Sequence, residues 1–110
     1  MRQIMMPGVR LIPVNPASGV PRILTLDDWI AAVGKRSPSM VTEKQIKYQS
    51  ETFGHIAHLW STYETAIDGK MLDRGINSIQ AVYDGSSWKV IEIVWQAESP
   101  GVTIPAEYLP

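Results

Sequence analysis

The sequence predicts an α+β fold in which an antiparallel sheet packs against one short helix. Apolar residues recur at helical spacing over residues 25–33. From residue 40 onward the pattern alternates with a period of two, and turn signals divide it into four strands. The chain has 110 residues, 45% of them hydrophobic, so a single domain can bury a core of its own.

The predicted helix carries signals at both of its ends. Thr25 can cap the N-terminus, and Asp28 stands where its carboxylate can bond back to the Thr25 backbone, which makes a capping box. Gly34 is placed to end the helix. The apolar stripe of the helix consists of Leu26, Trp29, Ile30 and Val33.

Five strands are predicted around that helix. Residues 9–14 form a short strand that Pro13 confines to a sheet edge, and residues 15–21 form a loop. Tight turns join the other four into an antiparallel meander, at residues 40–51, 55–67, 72–83 and 88–98. Three prolines keep the end of the chain out of a central strand, so we divide it into one domain, 1–98, and a tail, 99–110. The expected anchors of the tail are Ile104, Tyr108 and Leu109.

The turn positions predict which residues of neighbouring strands pair. The last turn, centred on residues 85 and 86, gives the pairs Tyr83–Trp88, Ala81–Val90 and Asn77–Val94. The preceding turn, centred on 68 and 69, gives His58–Ile79, Trp60–Asn77, Tyr63–Arg74 and Glu64–Asp73. One sheet face then carries His58, Trp60 and Asn77, and the other carries Tyr63, Arg74 and Trp95.

Both predicted faces are rich in large apolar groups, whereas a free meander is normally polar on one side. The short helix can cover only one face. We therefore expect the other face to meet a second subunit in a homodimer, or to curve around a pocket. The first long strand differs, because its alternate positions are polar and predict a solvated face: Glu43, Gln45, Lys47, Gln49 and Glu51.

Composition argues against several classes of function. Ten Lys and Arg against eleven Asp and Glu give a net charge of −1, without the basic excess of a nucleic-acid binder. A chain without cysteine has no disulfides, thiolate metal sites or thiol nucleophiles. We find no membrane span, signal peptide or cofactor motif in the sequence, and we expect a cytoplasmic protein.

Several short motifs lie between residues 54 and 96. They are Gly54 before Ala57, Trp60 with Tyr63-Glu64, Arg74-Gly75 with Asn77, and Asp84-Gly85 running into Trp88-Lys89-Val90. With these motifs the segment resembles the last three strands of the nuclear-transport-factor-2-like superfamily, and most closely its SnoaL-like and lumazine-binding-like branches. The resemblance implies a curved, cystatin-like sheet that forms a cone-shaped half barrel around a pocket for a small molecule.

Members of this superfamily usually begin with helices that close the mouth of the cone, and its isomerases and cyclases take catalytic groups from that part. This sequence begins at the first strand, so none of its positions matches those groups. Either the true start lies upstream of Met1, or the chain is a minimal form, and for the minimal form we expect a partner subunit or an open pocket where that cover would lie. The resemblance leaves two functions open: a small-molecule-binding domain, with or without isomerase- or cyclase-like activity, and a non-catalytic structural module that acts as a dimer.

Six residues are candidates to line the pocket: His58, Trp60, Tyr63, Arg74, Asn77 and Trp95. His58 has the chemistry of a general base, but a hydrogen-bonded histidine at an interface is the favoured interpretation. Arg74 could hold an acidic ligand group while Tyr63 donates a hydrogen bond, or the two could form a cation–π pair. The tryptophans could line a pocket for a flat apolar ligand, pack in the core or form a dimer contact. The two histidines stand three apart on a strand and face opposite sides, so no metal site is predicted.

Overall fold

The computed structural model describes residues 4–34 and 41–110, which form a five-stranded sheet and one helix. The elements in chain order are β1 (Met5–Pro13), α1 (Leu26–Gly34), β2 (Val41–Phe53), β3 (Ile56–Ile67), β4 (Lys70–Tyr83) and β5 (Trp88–Ala97). One 3-10 turn follows at Ala106–Tyr108. The strands lie in the order β1-β5-β4-β3-β2, which confirms the α+β fold and the four-strand meander. Residue 40, where the first long strand is predicted to begin, lies outside the described residues.

The first strand is longer than predicted and lies beside β5 at the edge of the sheet. It begins at Met5 instead of residue 9, and it runs parallel to β5, with Leu11 beside Ile93. Pro13 lies at the end of this edge strand, as its missing N–H favours. The pairing of β1 with β5 joins the first strand of the chain to the last strand of the meander, which is far from it in sequence.

The loop and the helix follow the local signals in the sequence. Asn15 turns the chain, since its Oδ1 accepts the backbone N–H groups of Ala17 and Ser18. At the start of α1 the Thr25 N–H donates to Asp28 Oδ2 at 3.2 Å, and the Asp28 N–H donates to Thr25 Oγ1 at 3.1 Å. This reciprocal pair is the predicted capping box. No helix among the described residues is both long and apolar enough to cross a bilayer.

The predicted register is correct near the last turn and wrong beyond it. Tyr83 pairs with Trp88 and Ala81 with Val90, but a bulge in β5 then inserts one residue, and Asn77 pairs with Trp95 instead of Val94. A second bulge, in β4 at Leu72, shifts the β3–β4 pairing in the same way. The observed pairs there are His58–Gln80, Trp60–Ser78, Tyr63–Gly75 and Glu64–Arg74. One extra residue moves every side chain beyond it to the opposite face, and turn lengths do not reveal it.

The register defines two faces of the sheet. The face on which Trp95 meets Trp29 of α1, with ring centroids 5.2 Å apart, is called the helix face. The face on which Trp60 meets Tyr108 of the tail, with centroids 6.0 Å apart, is called the tail face. The predicted assignment of Arg74 and Asn77 is therefore wrong, because Asn77 lies on the helix face and Arg74 on the tail face.

The buried core is small and lies toward β1, β5 and the tail. Its apolar side chains among the described residues are Val9, Leu11, Ile12, Tyr63, Ala81 and Ile104. At the other edge of the sheet, Tyr48 on the helix face is 58% exposed and Phe53 on the tail face is 73% exposed. Within this chain, α1 and the tail thus cover the β5 side of the sheet and leave large apolar groups of β2 in solvent.

Candidate functional site

The tail, residues 99–110, turns back along the tail face. Thr62 on β3 is 1% exposed, and its Oγ1 donates a 2.6 Å hydrogen bond to the carbonyl oxygen of Tyr108. Lys47 on β2 donates from Nζ to the carbonyl oxygen of Leu109 at 3.2 Å. Lys47 was expected on a solvated face, but this contact makes it half-buried. Of the predicted anchors, Tyr108 and Leu109 therefore contact the sheet of their own chain, and the Ile104 side chain is buried.

The beginning of the tail is held by Glu98, just after the end of β5. Arg74 on β4 donates from Nε to Glu98 Oε1 at 2.8 Å, and the Ile104 backbone N–H donates to Glu98 Oε2 at 2.8 Å. The Glu98 N–H in turn donates to the Arg74 carbonyl at 2.9 Å. The bond from Ile104 and then the bond from Arg74 lower the pKa of the Glu98 carboxyl. Both carboxylate oxygens are therefore occupied at neutral pH.

A groove of about 500 Å³ lies between the tail and the tail face. Its floor is formed by Ile76, Ser78, Val94 and Gln96 of β4 and β5, and Trp60 of β3 stands beside them. The tail adds Val102, Thr103, Ile104 and Pro105 on the opposite side, and Val14 also lines the groove. Most of the lining is apolar. Of the described residues that line it, Glu98 is the one with an ionisable side chain.

A separate polar cluster lies on the helix face, around Tyr63. The Tyr63 side chain is buried, and burial, followed by the charges of Asp73 and Glu43, raises the pKa of its hydroxyl to about 12. Asn77 Nδ2 donates to Glu43 Oε1 at 3.5 Å, and Thr65 Oγ1 donates to the Asp73 carboxylate. Because Tyr63 stays protonated at neutral pH, its hydroxyl can act as a hydrogen-bond donor and not as a base.

Close packing at Gly75 explains how Tyr63 is seated. Gly75 is the cross-strand partner of Tyr63, and a Cβ atom at this position would collide with the Tyr63 hydroxyl and the Gln96 carbonyl oxygen. The same Cβ would lie 2.8 Å from the Ala97 Cα. The tyrosine ring therefore covers a glycine across the strand pair, and this contact requires the absence of a side chain at Gly75.

The six predicted pocket residues are divided between the two faces. His58, Trp60 and Arg74 lie on the tail face, and Tyr63, Asn77 and Trp95 lie on the helix face. Of these, Trp60 and Trp95 line the groove. His58 forms an exposed pair with Glu51 at 3.0 Å. The predicted pairing of Arg74 with Tyr63 is wrong, because the β4 bulge places Gly75 opposite Tyr63 and leaves Arg74 to bond Glu98.

Several residues of the groove were not identified from the sequence. Ser78, Gln96, Glu98 and Val102 line it, although none was a candidate. The usable signal was the polar pair Gln96 and Glu98, which follows the apolar run Ile93-Val94-Trp95 and directly precedes the proline-containing tail. Within the described ranges, no group of three or more His, Asp or Glu side chains could hold a metal ion.

No protein-family model matches the chain, and neither does any curated protein. Several solved structures are similar, among them three crystal structures of NTF2-like or cystatin-like proteins. An NTF2-like protein of unknown function from Shewanella baltica OS155 has a TM-score of 0.64 and 11% identity, over 90% of this chain and 76% of that one. An uncharacterised protein with a cystatin-like fold from Caulobacter vibrioides has a TM-score of 0.67 and 15% identity, over 91% and 75%.

The third similar structure is an NTF2-like protein of unknown function from Silicibacter pomeroyi DSS-3, with a TM-score of 0.54 and 17% identity over 87% of this chain and 75% of that one. Together these structures confirm the predicted fold: a curved, cystatin-like sheet of the NTF2-like type, open as a half barrel. At these identities the likeness concerns the fold alone. The assignment to the SnoaL-like or lumazine-binding-like branch stays a prediction.

Proposed function

We propose that the protein binds a small, mainly apolar molecule in the groove between its tail and its sheet. The observation that carries this proposal is the groove itself, whose volume of about 500 Å³ lies within the roughly 300–1,000 Å³ of small-molecule sites. Its lining of aliphatic side chains and Trp60, interrupted by a few polar groups, is the composition typical of such sites.

Hydrogen bonds at both ends of the tail support a groove that is formed before a ligand binds. Glu98 holds its beginning, and Thr62 and Lys47 hold its end through the carbonyl groups of Tyr108 and Leu109. Contacts at both ends keep Ile104 and its neighbours in place over the sheet. A ligand that enters the groove thus meets walls that are ordered before it binds, which reduces the entropy cost of binding.

Thermal unfolding with a panel of apolar metabolites tests the proposal. A bound compound at about 100 times its Kd adds about 2.7 kcal/mol of stability, which raises Tm by several degrees in a domain of this size.

Val94→Phe places a ring on the floor of the groove and should abolish the shift. Val82→Phe adds the same volume on the tail face away from the groove and should preserve it. A panel without any stabilising compound would contradict the proposal, as would equal shifts in both variants.

Dimerisation is a second candidate, favoured by an exposed apolar pair at the far end of the tail face. Phe53 and Ile56 are cross-strand partners, 73% and 55% exposed. Burial of these side chains against a second copy would remove apolar surface from water. Light scattering at micromolar concentration should give twice the chain mass, and Ile56→Lys should give the monomer. Met71→Lys, at an equally open position on another part of the sheet, should leave the dimer intact. A monomeric wild-type protein would contradict this candidate.

An isomerase- or cyclase-like activity of this protein would use the helix face. There the protonated Tyr63 could donate a hydrogen bond to a developing oxyanion, and Glu43 or Asp73 could accept a proton. Such an activity should fall at least about tenfold in Tyr63→Phe, with the fold preserved, and should not change in Val94→Phe. Equal activity in Tyr63→Phe and the wild type would contradict this role for the helix face.

A further inference from the structure

The groove is lined by apolar side chains, a few uncharged hydrogen-bonding groups and one carboxylate that is already paired. This lining limits the kind of ligand that can bind. Resting on the proposed binding function, we infer that the groove selects an uncharged ligand that has an apolar body and one hydrogen-bonding group, such as a hydroxyl or a carbonyl. The sequence alone left acidic ligands open as well, with Arg74 as their partner. The contacts of the groove residues distinguish these two classes.

No free charge faces the groove from its described lining. Glu98 is the ionisable lining residue, and its two oxygens already accept hydrogen bonds from Arg74 and from the Ile104 N–H. Arg74 is neutralised in the same pair and does not itself line the groove. Lys47, a cation that contacts the end of the tail, donates to the Leu109 carbonyl.

A charged ligand would therefore lose its water without gaining a partner. A carboxylate in the groove would lie beside the like charge of Glu98, and the nearby cation, Arg74, is already paired with Glu98 and does not line the groove. An ammonium group would meet a Glu98 whose charge is already compensated by Arg74 and each of whose oxygens already accepts a hydrogen bond. Because an unpaired charge is costly to desolvate, both classes of ion should bind more weakly than an uncharged analogue of the same shape.

Two polar side chains on the floor supply the hydrogen-bonding part of the inference. Gln96 pairs with Ile76 across the strands, and Ser78 lies two residues further along β4 on the same face. Neither the Gln96 amide nor the Ser78 hydroxyl takes part in any of the hydrogen bonds found among the described residues. Both groups can donate and accept, so either can satisfy a ligand hydroxyl or carbonyl. Around them, Ile76, Val94 and the indole of Trp60 offer apolar contact to the rest of the molecule.

A matched set of naphthalene compounds tests this selectivity on the full chain. Naphthalene-methanol, naphthoate and naphthylmethylammonium share one ring system and differ in the charge of one substituent. Binding is measured by calorimetry and by quenching of tryptophan fluorescence. We expect naphthalene-methanol to bind at least about tenfold more tightly than either ion.

Changing the charge on the floor should change the selectivity. Gln96→Lys places a free cation beside the ligand substituent and should reverse the preference toward naphthoate. Gln80→Lys is the control, because Gln80 lies on the same sheet face, is exposed and does not line the groove. It adds the same charge and should leave the order of affinities unchanged.

The possible outcomes separate this inference from the proposed function. If naphthoate or naphthylmethylammonium binds the wild type as tightly as naphthalene-methanol, the inferred ligand class is wrong while binding itself stands. If Gln96→Lys and Gln80→Lys have the same effect, the site is not the groove. If no compound of the set or of the metabolite panel binds, the proposed function fails as well.

Discussion

Arg74 and Glu98 join the middle of the sheet to the beginning of the tail through a 2.8 Å hydrogen bond between Nε and Oε1. The other oxygen of Glu98 accepts the backbone N–H of Ile104, which is one of the few buried apolar residues of the molecule. A single carboxylate thus connects a strand to the segment that covers it. The groove depends on this connection, because Glu98 and Ile104 both line it.

Loss of the Glu98 carboxylate should loosen the tail. Glu98→Ala removes two hydrogen bonds to an ionised group, of which each typically contributes about 1.5–3 kcal/mol when its partner is charged, and it leaves Arg74 without its anion. We expect the free energy of unfolding in urea to fall by about 3 kcal/mol, the lower end of that sum, because Glu98 is partly exposed to solvent. Proteolysis within residues 99–110 should also become faster.

The control for this substitution is Glu107→Ala, which removes an exposed acidic side chain from the tail itself. Surface changes of this kind usually alter stability by less than about 0.5 kcal/mol. Equal stability and equal proteolysis of the two variants would show that Glu98 does not hold the tail.

The Glu98 carboxylate should also make the free energy of unfolding depend on pH. The pKa of Glu98 is lower in the folded protein than its ordinary value of 4.5, so the unfolded chain takes up the proton first as the pH falls. The contribution of Glu98 is therefore complete above about pH 5 and is lost as the pH falls through 4.5 toward the folded-state pKa.

Urea denaturation at a series of pH values measures this effect, with Glu98→Gln as the comparison. The variant should lose part of the acid dependence and retain the rest, because hydrogen bonds from Ser87 and Ser86 also lower the pKa of Asp84. Identical pH profiles of the wild type and Glu98→Gln would contradict the prediction.

Gly75 should not tolerate a side chain. The methyl group of Gly75→Ala would collide with the Tyr63 hydroxyl and with the backbone of β5 at Gln96. Backbone cannot move aside as a flexible side chain can, so we expect a loss of about 1–3 kcal/mol or more in the free energy of unfolding. Ser78→Ala, on the same strand and more exposed, should change stability by less than about 0.5 kcal/mol. The prediction fails if both variants unfold at the same urea concentration.

The capping box should contribute to stability through the helix alone. Thr25→Ala removes the acceptor of the Asp28 N–H and should cost about 1 kcal/mol, whereas Thr25→Ser preserves the hydroxyl and should cost little. Thermal unfolding compares the two variants. Because α1 contacts the helix face, neither change should affect ligand binding in the groove, and an altered affinity would mean that the two faces are coupled.

Features that depend on neighbouring residues were predicted well from the sequence. The capping box at Thr25 and Asp28, the turn made by Asn15 and the three hairpins of the meander all appear in the structure. The positive φ of Asp68 and Gly69 agrees with their predicted place at the centre of a tight turn. Each of these features is stabilised by contacts within a few residues, so its signal is complete in a short stretch of sequence.

The candidate site was predicted less well, because it depends on pairings between distant residues. The bulges at Leu72 and in β5 moved Arg74 and Asn77 to faces other than the predicted ones. A bulge leaves the hydrophobic alternation on either side of it intact, and only the partner strand reveals the extra residue. The groove adds a second long-range dependence, since it exists only because the tail returns to β2 and β3.

By itself the sequence determined the class of fold, the order of its helix and strands and the absence of a strong net charge, because propensities, turn residues and charge are properties of the chain. The tertiary structure decided which side chains share a face, that Glu98 takes Arg74 as its partner, and that Gln96 and Ser78 lie on the floor of a groove. These relations arise from register and from chain return, where a shift of one residue exchanges the two faces of a strand.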